Sequence, residues 1–243
     1  MIRFNTNHGL MHVLRNDVEF VKNMSMGKIY EEDIIMTQLI PRINNSNSSK
    51  KIILDIGGHI GSHTLLYSKY IDNAEIHTFE PQSVLFNILS LNVNENKLHN
   101  VILHNNSVGH KMCSCSMAKQ LYDGYNCDIE YFVNKPLNYG GLQLGKGGES
   151  TEMITIDSLN LSDCHYIKMD VEGAELLVLM GAINTIRKYK PIIFFECTDK
   201  TVNNEMKELL CISEDLTNPI DFLIRENYTI INIDANNKLA ISN

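Results

Sequence analysis

The chain has 243 residues, 44% hydrophobic and 21% charged, a composition that suits one globular α/β core and excludes disorder. A net charge of −8 with no dense Lys/Arg run argues against a nucleic-acid backbone as partner. No stretch could span a membrane, and the N-terminus carries no apolar core of signal-peptide length. The six cysteines show neither C-x-x-C pairs nor metal spacing, so a reduced, cytoplasmic setting is expected.

Residues 9–22 alternate loosely around Arg15-Asn16-Asp17, which predicts a β-hairpin. Glu31 to Ile43 reads as a helix with Ile34, Ile35, Leu39 and Ile43 on one face and Pro41 disturbing its end. Asn44 to Ser49 is a polar linker. Residues 1–49 are thus expected to cap an α/β core over 50–243, all within a single domain.

The core begins with the strand Lys51–Ile56, whose residues Ile52–Ile56 are apolar except for Asp55, followed by glycines and a helix over Ser62–Tyr70. The next unit is a strand Ala74–Phe79, then Glu80, Pro81 and a helix from near Gln82 with Val84, Leu85, Ile88 and Leu91 on one face. Asn100–His104 is a third strand. This alternation predicts a parallel sheet with right-handed crossovers.

Residues 109–150 break the rhythm. Short β-like pieces at Lys111–Met117 and Ile129–Val133 precede a run from Asn138 to Gly148 with five glycines in nine residues, incompatible with a stable helix or central strand. An insertion near the site, able to fold over substrate, is expected there. Strands follow at Met153–Ile156 and His165–Met169, a helix at Ala174–Lys188, and a strand Pro191–Phe195 ending in Glu196. The tail offers helices at Asn203–Cys211 and Ile220–Arg225 and strands at Tyr228–Ile233 and Lys238–Ile241.

Ligands of open parallel sheets bind beyond the carboxyl ends of the strands, and four apolar runs here end in acids: Asp55, Glu80, Asp170 and Glu196. The strand–turn–helix pattern is Asp55-x-Gly57-x-x-x-Gly61, not the G-x-G-x-x-G of a dinucleotide site. A carboxylate at this position would repel a pyrophosphate but suits the ammonium and sulfonium charges of S-adenosylmethionine (SAM). Glu80 can accept both hydroxyls of a ribose. His59 is expected to meet the cofactor through its backbone, and His63 to lie on a helix surface.

Asp170 and Glu172 are placed to face the methyl group and the acceptor, with Asp170 as general base. Asp170, Glu172 and Glu196 could instead hold a divalent cation such as Mg²⁺. Glu172 has a plainer alternative as a helix cap. An NAD-dependent oxidoreductase and a non-catalytic glycan- or protein-binding module stand as rival readings.

Taken in order, several segments resemble the FkbM-type SAM-dependent methyltransferases. They are GKIYEED (27–33), ILDIGGHIGSHTLL (53–66), FEP (79–81), NNSVG (105–109), NYGG (138–141), IDSL (156–159), IKMDVEGAEL (167–176) and PIIFFE (191–196). The resemblance implies the class I methyltransferase fold: a Rossmann-like, seven-stranded, mostly parallel sheet with helices on both faces and the last strand antiparallel. It implies O-methylation of a small-molecule or glycan hydroxyl. It also implies a cofactor site of Asp55, Gly57, His59, Gly61, Glu80, Pro81, Asn106 and Ser107, with Tyr30, Tyr139 and Gly140 toward the acceptor. His59 departs from the asparagine or small residue usual in the family.

Overall fold

The computed structural model describes residues 1–46, 48–119, 139–197, 207–208 and 218–243. The strand expected at Ile129–Val133 lies outside them. Of the helix expected at Asn203–Cys211, Lys207 and Glu208 alone are described, and both are helical.

Strand β3 (Lys51–Ile56) is buried along its whole length, as an apolar run covered on both faces must be. It pairs in parallel with β4 (Ala74–Phe79) on one side and β9 (Tyr166–Met169) on the other. Beyond these lie β5 (Val101–His104) and β10 (Ile192–Glu196), both parallel. Then β12 (Asn237–Ser242) pairs antiparallel with β10, and β11 (Tyr228–Asn232) closes the edge. The order β11-β12-β10-β9-β3-β4-β5 is the seven-stranded, mostly parallel sheet that the sequence implies.

Alternation along β3 divides the core. Ile53 packs with Leu65 and Leu66 of α4 (Ser62–Tyr70) and with Leu85 and Ile88 of α5 (Ser83–Glu95). Ile52, Leu54 and Ile56 pack with Val178 and Leu179 of α6 (Glu175–Gly181), Ile186 of α7 (Ile183–Tyr189) and Leu223 of α8 (Pro219–Arg225). Val84 is 44% exposed, so the apolar face of α5 is carried by Leu85, Ile88 and Leu89 instead.

Three expectations need correction. The hairpin is β1 (Ile2–Thr6) with β2 (Gly9–Val13), not residues 9–22. Thr6 makes the turn, its hydroxyl accepting the His8 and Gly9 N–H groups. Asp17 then precedes a helix, α1 (Val18–Ser25). The outer edge of β2 is paired by side-chain amides of α5: Asn96 exchanges two hydrogen bonds with Leu10, and Asn92 two with His12. The helix expected over Glu31–Ile43 is present and irregular just before Pro41. A π-helical stretch (Ile35–Leu39) sits between α2 (Glu32–Ile34) and α3 (Ile40–Asn44), and Pro41 falls in the first turn of α3, where a missing N–H costs little.

The second correction concerns Gly147 and Gly148. They open β8 (Gly147–Ile154), the central strand of a small sheet with β6 (Ser107–Val108) and β7 (Cys113–Ala118). The register shifts between Ser116 and Ala118, and a Cβ at 148 would strike the Met117 and Ala118 carbonyl oxygens. Glycine here permits close approach at a bulge instead of breaking the strand. The piece expected at Met153–Ile156 is the end of this longer strand. Third, the helix over 174–188 is two helices, broken at Ala182, whose N–H bonds to Leu179 O. The Gly181 backbone lies directly against the Gly109 carbonyl, where a side chain would collide.

Among the described residues no helix is long and apolar enough to cross a membrane. Gly181→Ala should push α6 off the Gly109 turn and destabilise the chain by about 2–3 kcal/mol, read as a lower urea midpoint at unchanged slope.

Candidate cofactor and acceptor site

The carboxyl ends of β3, β4 and β9 open on a cleft. Its walls include Gly57, Glu80, Pro81, Gln82, Asn106, Ser107, Gly140, Asp170 and Glu172. Most of the cofactor set expected from sequence is therefore gathered in one place, with Asp170, Glu172 and Gly140 beside it. Asp55, His59, Gly61, Tyr30, Tyr139 and Glu196 do not line this cleft.

Asp55 needs the firmest correction. Its side chain is fully buried below the cleft, where Oδ2 accepts the Thr64 hydroxyl at 2.6 Å and Oδ1 lies 3.6 Å from Lys168 Nζ. It organises the floor from below and does not line the cleft. Gly57 (φ +77) forms that floor's surface, and a Cβ there would run into the Asp170 carbonyl. Gly61 (φ +85) turns the chain into α4 and packs its bare Cα on Leu89. His63 is not on a helix surface. It is buried, with Nε2 3.2 Å from Tyr30 O and 3.6 Å from Glu31 Oε2. His165 Nδ1 accepts the Ile52 N–H at the opposite end of its strand from the cleft.

Lys168 is the group the sequence reading passed over. Its ammonium is buried, donates to Gly57 O at 2.8 Å and sits 3.7 Å from Asp170 Oδ2. Burial works against its charge, but Asp170, Asp55, Glu31 and Glu80 outweigh burial and hold it above the ordinary lysine value. A lysine inside a buried parallel strand was the visible signal, because Asp55 on the neighbouring strand required a counter-charge.

Glu80 is 3% exposed, and each of its oxygens receives one backbone N–H, His59 to Oε2 at 3.0 Å and Gln82 to Oε1 at 2.9 Å. Burial pushes its carboxyl up to about 8, with those two N–H donors pulling the other way. A protonated carboxyl keeps one O–H donor and further acceptor capacity beyond the two N–H groups it receives, so it can still bond a group in the cleft. The chemistry of this donor set, with the side-chain-free floor at Gly57, fits the ribose of a nucleoside cofactor.

On the acceptor side, ligand atoms of Asp170, Glu172 and Glu196 approach within 4.8 Å of one another. Glu172 stands in the left-handed region (φ 55), with its carbonyl accepting Gln143 Nε2 at 2.6 Å. Glu175, the first residue of α6, reaches back to take the Val171 and Gly173 N–H groups, and burial raises it to about 8. Tyr30 is half-buried, and burial, then the charges of Glu31, Asp170 and Glu196, push its phenol to about 12. Tyr139 is held at both ends, its hydroxyl accepting Asn16 Nδ2 and its carbonyl accepting Gln82 Nε2.

The seven-stranded order with its antiparallel penultimate strand, and a glycine floor beside a strand-end carboxyl, define a class I SAM-dependent methyltransferase fold. The family model described as "Methyltransferase FkbM domain" matches residues 55–218, more than half of the chain, and the chain belongs to that methyltransferase family. Among solved structures it is similar to the FkbM methyltransferase of Methylobacillus flagellatus KT, at 18% identity and a TM-score of 0.48, over 79% of this chain and 43% of that one. It is similar to precorrin-6y C5,15-methyltransferase of Geobacter metallireducens GS-15, at 11% identity and a TM-score of 0.44, over 87% and 89%. It is also similar to Aeropyrum pernix fibrillarin with natively bound SAM, at 11% identity and a TM-score of 0.44, over 83% and 73%. The chain thus spans less than half the length of the FkbM structure. No curated protein matches it in sequence.

Two outcomes follow from the buried charges. Lys168→Met should cost about 3–5 kcal/mol, because it leaves Asp55 buried without its cation; chemical denaturation measures this. Glu80 and Glu175 (about 8) and Asp17 and Glu31 (about 7), all raised chiefly by burial, keep protons in the folded chain that the unfolded chain releases near pH 4 to 5. Their contribution to stability is therefore lost as pH rises toward 8. His59 and His63 (about 3) and His104 (about 4), lowered by burial, act in the opposite sense, but only below about pH 6.5. The melting temperature should consequently fall between about pH 6.5 and 8.5, and Glu175→Gln should flatten that fall.

Proposed function

We propose that this chain is a SAM-dependent O-methyltransferase acting on a hydroxyl of a small acceptor, with a sugar or glycan hydroxyl favoured. The observation that carries the reading is the placing of Glu80 and Asp170 on the walls of one cleft, above a floor fixed by Lys168. When bound, SAM supplies a methyl group activated by its sulfonium charge. Glu80 would accept the ribose hydroxyls, and Asn106 and Ser107 would flank the base. The Gly57 turn would lie beneath the nucleoside.

Asp170, whose side chain is 40% exposed, is open to the acceptor and would take the hydroxyl proton as the oxygen attacks the methyl carbon. Lys168 holds it at the strand end and limits its rotation. Tyr30 and Gly140 would contact the acceptor. A divalent cation would, in a second version, sit among Asp170, Glu172 and Glu196 and lower the hydroxyl's pKa. The approach of their oxygens to within 4.8 Å favours that version.

The test is transfer of radiolabelled methyl from SAM to a panel of hydroxylated acceptors, preceded by calorimetric titration of SAM. Glu80→Gln should weaken SAM binding about tenfold, the equivalent of about 1.4 kcal/mol. Asp170→Asn should keep SAM affinity but lower kcat by about 10²–10⁴. Activity lost to EDTA and restored by Mg²⁺ would assign the acid cluster to a metal, while unchanged activity would leave Asp170 as base. SAM binding without turnover on any acceptor would favour the binding-module reading instead.

A further inference from the structure

Two adjacent residues of the N-terminal cap, Asn16 and Asp17, reach the two rims of the cleft. Asn16 Nδ2 donates to the Tyr139 hydroxyl at 2.7 Å, and Tyr139 is bonded through its carbonyl to Gln82 of the cleft wall. Asp17 is 1% exposed and turns the other way, its Oδ2 lying 3.4 Å from His59 Nε2. The far face of the imidazole stacks on Phe20 of α1, ring centroids 4.5 Å apart at 28°. Two cap residues, Asp17 and Phe20, thus contact the His59 ring.

That grip acts on a backbone that is otherwise unfavourable. His59 has φ +52, in the left-handed region that costs an ordinary side chain about 1–2 kcal/mol. In that conformation, and with Gly57 and Gly58 both hydrogen-bonded to Phe79 O, the His59 N–H reaches Glu80 Oε2 at 3.0 Å. We propose that Asp17 is a positioning residue for the nucleoside end of the cofactor, holding the His59 ring so that its backbone N–H orients Glu80. The inference rests on the role of Glu80 given above.

The proton distribution agrees with this. Burial raises Asp17 to about 7 and lowers His59 to about 3, so below about pH 7 the pair carries no net charge and its proton sits on the carboxyl. Neither the side-chain nitrogens of His59 nor the carboxyl oxygens of Asp17 have a hydrogen-bond partner of good geometry in the structure, so the ring is held by the 3.4 Å contact with Asp17 together with the stack on Phe20. An interior strap of this kind is costly in polar burial, and the orientation of Glu80 is what it gains.

The experiment compares wild type, Asp17→Ala, Asp17→Asn and Glu80→Ala, each checked for an intact thermal transition, by calorimetric titration with SAM and with 5′-methylthioadenosine. The second ligand carries the nucleoside without the amino-acid end. Asp17→Ala should weaken both ligands by a similar factor, about tenfold, with kcat at saturating SAM changed less than twofold. Asp17→Asn, which still offers an acceptor and a donor to the ring, should recover most of the affinity. In the Glu80→Ala background, Asp17→Ala should have no further effect on either ligand. Full additivity of the two substitutions, or loss confined to SAM, would overturn the proposal, as would unchanged affinity in a folded Asp17→Ala. If wild type itself binds neither ligand, the cofactor reading of the site fails first, a result distinct from all of these.

Discussion

The ammonium of Lys168 is the fixed point of this fold's functional end. It stands on β9 between Asp55 of the adjacent strand and Asp170 at its own carboxyl end, and donates to the carbonyl of Gly57. One buried cation thus ties together the first strand, the glycine turn and the strand that carries the acceptor-side acids. Without it, Asp55 would be an isolated charge under the sheet, and the turn would lose an anchor below its surface. The cost of burying the lysine is offset because several carboxyl groups share its charge.

From that point the site is built outward in two directions. On the β4 side, the Gly57–Gly58 turn leads to His59, whose N–H meets Glu80. On the β9 side, Asp170 leads into the left-handed Glu172 and Gly173, and Glu175 ties that bend to the start of α6. Both arms use a carboxyl group to collect backbone N–H donors at a strand end, where such donors would otherwise lack partners. The small sheet of β6, β7 and β8 then supplies the wall at Ser107, whose N–H is held by Thr151.

The N-terminal cap is more than a cover. Its Met11, Val13, Met24 and Ile29 belong to the same apolar cluster as Ile53 and Leu65, so it is packed on the sheet's α4–α5 face. Its polar residues meet segments that border the cleft: Tyr30 and Glu31 near His63, Asn16 at Tyr139, and Asp17 at His59. Packing fixes the cap, and the fixed cap places these groups.

The sequence by itself determined the strands and helices of the sheet, because buried parallel strands are short apolar runs and their ends are marked by glycine or acid. Lys51–Ile56, Ala74–Phe79 and Ser62–Tyr70 were legible to the residue for that reason. It also marked Glu80, Asp170 and Glu172, whose carboxyl groups stand at strand ends in a cleft. Only the tertiary structure decided which acid borders the cleft and which is paired below its surface. Asp55 and Glu80 occupy equivalent places in their motifs, but Asp55 points at Thr64 and Lys168 while Glu80 borders the cleft. The roles of Lys168, Asp17 and Gly148 were equally out of reach. Each depends on partners distant in sequence or on a carbonyl's close approach, and local pattern carries no record of what lies across the fold.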